Sequence, residues 1–180
     1  LRKVNKKIYI YLISIFFNFE DKNLILYIRG VEIMGLTGSI LRKSEMLSFK
    51  ETKKIDVEIL ESLNYRIMLW NQDMKGENYC TISANKDDDI GFVMYIYGEV
   101  SEADEYNFSY IDSCITSVID IEDISECEDM TLLFLKEYFK YYPNDYFIDE
   151  FDWYYTKKDI DEAFKNGNFH EWCYKPPKGK

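Results

Sequence analysis

Ile59, Leu60, Leu63 and Ile67 fall at i, i+1, i+4 and i+8, and Trp70 extends the stripe, which predicts a helix from about Lys53 to Trp70. Asn71, Asp73, Lys75 and Gly76 then break the pattern. Tyr79–Ser83 and Ile90–Tyr97 are rich in β-branched and aromatic residues, and the polar run Ala84–Asp89 between them predicts a hairpin. In the second run Ile90, Phe92, Met94 and Ile96 share one face and Val93, Tyr95 and Tyr97 the other. Both faces are apolar, so this run is expected to be a central strand.

Phe108–Ile121 fits two periods, because Ile111, Ile115 and Ile119 suit either a strand or a helix; its Ser, Thr and β-branched content favours a strand. Ser125–Tyr142 reads as a helix, with Ser125 and Glu128 spaced as a capping box and Pro143 beyond its end. Phe147–Tyr155 then alternates, with Phe147, Phe151, Trp153 and Tyr155 on one side, Glu150 and Asp152 on the other, and Asp149 out of phase. A strand is expected there. Thr156 and Asp159 form a second capping pair, opening a short helix that Gly167 closes. Near the start, Met34–Ile40 reads as a short strand or loop loosened by Gly35 and Gly38. Together these elements predict an α+β fold: a small, mainly antiparallel sheet with about three helices packed on one face.

Residues 1–33 stand apart. Lys3, Lys6 and Lys7 precede an apolar run, Ile8–Phe17, that is too short to span a bilayer and has no small-residue cleavage site behind it. The first Met is Met34, and Arg29–Ile33 can be back-translated to a purine-rich, bacterial-type ribosome-binding sequence just upstream of it. Residues 1–33 are therefore expected to be translated leader or a disordered extension, with residues 34–180 forming one domain.

That boundary alters the charge balance. The chain carries −11 overall, and residues 1–33 hold six basic and three acidic residues, a net of +3, which leaves −14 on the body. From Asp87 to Leu135 there is no Lys or Arg, against 14 Asp and Glu. Uncompensated charge on this scale repels itself and calls for a basic partner, a cation or a solubility role. A basic face for direct nucleic-acid binding is excluded, and no span points to a membrane.

Candidate chemistry is sparse. His170 is the only histidine, so a His-dependent catalytic system rests on one residue in the tail. His170 and Cys173 have the spacing of half a zinc site without a local second half. Asp87, Asp88 and Asp89 lack EF-hand spacing, and Gly35–Ser39 is neither a P-loop nor a nucleophile elbow. Cys80, Cys114, Cys127 and Cys173 form no CxxC pair and read as reduced, mostly buried cytoplasmic thiols. No catalytic residue, metal site or cofactor is expected.

One constellation remains. Ten of the 18 residues from Tyr138 to Tyr155 are aromatic, interleaved with Asp145, Asp149, Glu150 and Asp152. Tyr and Trp supply large contact area at low entropy cost, and neighbouring carboxylates steer and pair with Arg or Lys on a partner. Strand alternation puts Tyr146, Glu150, Asp152 and Tyr154 on the outward face, and these four are the expected partner-binding residues. The expected function is a non-catalytic acidic binding module that docks on a basic protein surface, for instance an immunity protein neutralising a toxin. The alternatives are a phage or mobile-element accessory protein that mimics nucleic-acid charge, and a carboxylate-based hydrolase.

Overall fold

The computed structural model describes residues 36–42, 49–70, 79–87, 90–97, 105–106, 115–125, 127–151 and 153–177. Residues 1–33, Cys114, Asp88, Asp89 and Asp152 lie outside them, and with them the expectation of a leader. The elements run β1 (Gly38–Arg42), α1 (Phe49–Ser62), β2 (Arg66–Trp70), β3 (Tyr79–Asn85), β4 (Gly91–Tyr97), β5 (Glu105–Tyr106), β6 (Ile115–Glu122), α2 (Glu128–Tyr141), β7 (Tyr146–Asp149), β8 (Tyr154–Tyr155) and α3 (Lys157–Lys165). The fold is α+β. Its sheet is antiparallel in the order β2-β3-β4-β6-β1-β7-β8, with β5 paired to β6.

Alternation assigns the two faces of the sheet. Cys80, Ile82 and Ala84 of β3, Phe92, Met94 and Ile96 of β4, Ile119 and Ile121 of β6, and Phe147 of β7 are all buried. They form one cluster with Leu60 of α1, Leu135 of α2 and Ile160 of α3. At about 0.8 kcal/mol per buried methylene, this core dominates the stability of the fold. Gly38 is there for close approach rather than for looseness: a Cβ would meet the Phe147 ring at 2.3 Å and the Ile148 carbonyl oxygen at 2.8 Å.

The β3–β4 hairpin forms as the pattern predicts, in register from Tyr79↔Tyr97 to Asn85↔Gly91, and β4 is central. The ambiguous segment is a strand over Ile115–Glu122. α3 opens with the predicted pair: the Thr156 amide and hydroxyl both donate to Asp159 Oδ2, at 2.9 and 2.7 Å. Gly167, at φ 68°, follows its end.

Three expectations fail, two to a tertiary competitor and one to a local turn. The first helix stops at Ser62 rather than running on to Trp70. Asn64 turns the chain at φ 60°, and Ile67 and Trp70 belong to β2, where pairing with β3 supplies the ladder. Ser125 does not cap α2, which starts at Glu128 behind Cys127; Ser125 Oγ instead accepts the Leu36 amide at 2.8 Å, and the Glu128 carboxylate accepts the Tyr174 hydroxyl at 2.7 Å. Phe147–Tyr155 is not one strand but the hairpin β7–β8. Asp149 Oδ1 accepts the amides of Phe151 and Trp153 at 2.9 and 3.1 Å, and this turns the chain.

Candidate functional site

The β7–β8 hairpin carries three of the four expected partner-binding residues. Tyr146 and Tyr154 lie on the same face with their rings edge-to-face, 6.1 Å apart. Glu150 is exposed at the turn, and its amide donates to the Thr37 carbonyl at 3.2 Å. Asp152 lies outside the described residues. The neighbouring Phe151 is exposed and stacks on Trp153 with ring centroids 5.0 Å apart.

Register extends this face across the sheet. Trp70↔Thr81, Thr81↔Tyr95, Tyr95↔Asp120, Asp120↔Ser39, Ser39↔Ile148 and Ile148↔Tyr154 are successive cross-strand partners from edge to edge. Partners in one row of an antiparallel sheet project to the same side. Carboxylates on this row and the next are held by phenols. The Tyr97 hydroxyl and Ser117 hydroxyl donate to Asp120 at 2.7 and 2.8 Å, and the Tyr95 hydroxyl donates to the exposed Glu122 at 2.8 Å. The four expected residues lie in Tyr146–Tyr154; β4 and β6 add Tyr95, Tyr97, Asp120 and Glu122 to the same side, and the alternation of these pairs along their strands is the signal for it.

Two further carboxylates of this segment, Asp145 and Asp149, point inward. Asp149 is buried, and besides two amides it accepts the Tyr155 hydroxyl at 3.1 Å. Burial pushes its carboxyl up to about 6 against those hydrogen bonds. Asp145 is buried with Arg42, which closes β1. Arg42 Nε and Nη2 donate to Asp145 Oδ2 at 3.0 and 2.8 Å, and the Tyr138 hydroxyl donates to the same oxygen at 2.8 Å. The guanidinium also lies 4.2 Å over the Tyr142 ring. Burial works against the charge on Arg42, but Tyr138 and Asp145 carry its pKa up overall. Asp56 of α1, fully buried in the same region, is pushed well above the carboxylate range by burial, which Arg42 only partly offsets. Because 103 residues separate Arg42 from Asp145, no local pattern announces their pairing.

The His–Cys spacing does not assemble a metal centre: among the described residues no group of three His, Cys, Asp or Glu could hold an ion. His170 is exposed, with Nδ1 4.0 Å from Glu128 Oε2, and Cys173 is buried, its thiol pushed up to about 12 by burial. Cys80, Cys127 and Cys173 are buried free thiols. A cleft of about 220 Å³ between α3 and the tail is lined by Tyr155, Asp159, Glu162, Trp172, Lys175 and Pro177 among others. Asp159 is already spent on the α3 cap, and Lys175 pairs with Glu171.

Among the described residues no helix is long and apolar enough to cross a membrane. No protein family matches the sequence, and no curated protein or solved structure is detectably similar to it.

Proposed function

We propose that this protein is a non-catalytic, acidic binding module of the cytoplasm that docks on a basic protein surface. One observation carries the reading: a cross-strand row joins Trp70, Tyr95, Asp120 and Tyr154 on one face of the sheet, where tyrosine hydroxyls already orient carboxylates. Pre-ordered carboxylates lose little freedom when a cation arrives, and aromatic rings beside them supply desolvated contact area. No Lys or Arg occurs in the 49 residues from Asp87 to Leu135 that contribute Asp120 and Glu122. A face on which Asp120, Glu122 and Glu150 outnumber Arg66 steers cationic partners and repels acidic ones.

An immunity protein is the concrete version: it would cover the cationic cleft that a toxin uses on nucleic acid, and a toxin gene would neighbour its own. Affinity capture from the native host tests the reading. The expected partner is basic over its contact surface, and Glu122→Lys with Glu150→Lys slows its association. Capture of an acidic partner, or capture at an unchanged rate by the charge-reversed protein, overturns it.

A further inference from the structure

The strongest unexplained feature is the charge count around Arg42. Two carboxylates, Asp56 and Asp145, lie within electrostatic reach of one buried guanidinium. Asp145 takes the bidentate bond and the Tyr138 hydroxyl. Asp56 takes nothing: both its oxygens are buried without a hydrogen-bond partner, and so are Arg42 Nη1 and the Tyr142 hydroxyl oxygen. A sealed carboxylate with no donor has lost its hydration without replacement, and the group escapes that cost by keeping a proton. Asp145, with donors in place, keeps the negative charge that matches Arg42.

We propose that Asp56 is a neutral carboxylic acid in the folded protein and serves as a pH-sensitive latch, which lets α1 stay packed against the end of α2 while it holds its proton and frees the helix as pH rises. The groups that face it are Arg42 from β1, Asp145 from the turn after α2, and Tyr138 and Tyr142 from α2. Among the described residues no charged group from β2, β3 or β4, the strands under α1, acts on it. Ionisation therefore puts a second negative charge beside Asp145, and among the described residues Arg42 is the one cation that acts on it. α1 is the element that gives way, because Asp56 sits on it while Arg42, Asp145 and Tyr138, which face it, are tied to one another.

The sign follows from proton linkage. Asp56 holds a proton when folded and releases it when unfolded above the ordinary carboxyl range, so stability falls as pH rises through that window. The test is thermal melting between pH 6.5 and 9 of the full chain and of Asp56→Asn, which keeps the shape and removes the titration. Wild type is expected to lose on the order of 4 °C per pH unit wherever the proton is held only in the folded state. Asp56→Asn is expected to flatten that slope and to melt above wild type at pH 8. An equal slope in the two proteins overturns the proposal. If Asp56→Asn does not fold, the carboxyl carbon of Asp56 in wild type, followed by NMR against pH, decides: a resonance at the protonated position through pH 7 supports the latch, and titration near pH 4 overturns it.

Discussion

Tyrosine donates to carboxylate both on the sheet face and around Arg42, and burial makes these two regions opposites. On the sheet face, Tyr95 and Tyr97 hold Glu122 and Asp120 where water or a partner can reach them. Inside, Tyr138 holds Asp145 against Arg42 where all three are buried. The exposed pairs contribute little to stability and are available for recognition, since screened surface charges interact by about 1 kcal/mol or less. The interior pair is an obligation: each of its members is costly once the others are removed. The same hydrogen bond therefore marks a docking surface in one place and a structural lock in the other.

The sharpest break of that comparison is Arg42→Ala. It strands Asp145 in the core and is expected to destabilise the protein by about 3–5 kcal/mol in urea denaturation. A loss below 1 kcal/mol would place this pair with the surface ones. Asp149→Ala ranks next. It leaves two amides and the Tyr155 hydroxyl without their acceptor, for an expected loss of about 2 kcal/mol by the same measurement.

Asp149→Asn sharpens the comparison through pH. The wild-type carboxyl titrates near 6 when folded, raised from about 3.9 in the unfolded chain, so its contribution is complete below pH 4 and is lost as pH climbs to 6. Melting temperature is expected to fall across pH 4–6 in wild type and to fall less in Asp149→Asn, whose carboxamide oxygen can still accept the turn amides. At the small end, Glu122→Gln and Glu150→Lys are each expected to stay within about 0.5 kcal/mol of wild type. A larger loss would move those side chains from the docking face into the fold.

Local pattern was enough wherever neighbours in the chain decide the structure. The β3–β4 hairpin, the α3 cap and the body of α2 were readable because turn residues, capping pairs and apolar spacing act within a few positions. It failed where a distant group intervened, and once where alternation hid a local turn. Ile67 and Trp70 prolong the helical stripe by coincidence of spacing, and only the pairing of β2 with β3 decides against it. Ser125 is diverted by Leu36, 89 residues away, and Glu128 by Tyr174 in the tail. The alternation through Phe147–Tyr155 concealed a turn because Asp149, the one residue out of phase, is its hydrogen-bonding centre. Asp56 had a readable signal: with Thr52, Ile59 and Leu60 it lies on the buried stripe of α1, where a carboxylate is out of place.

The central claim is that the acidic, tyrosine-ordered sheet face meets a basic partner. Its most direct measurement is the association rate of the captured partner with wild type and with the Glu122→Lys, Glu150→Lys double variant, at two salt concentrations. Rim charges act chiefly on the encounter, so the double variant is expected to associate at least several-fold more slowly at low salt and to depend less on salt, while melting as wild type does. Equal association rates with an unchanged melting temperature would contradict the claim and move the interface off this face.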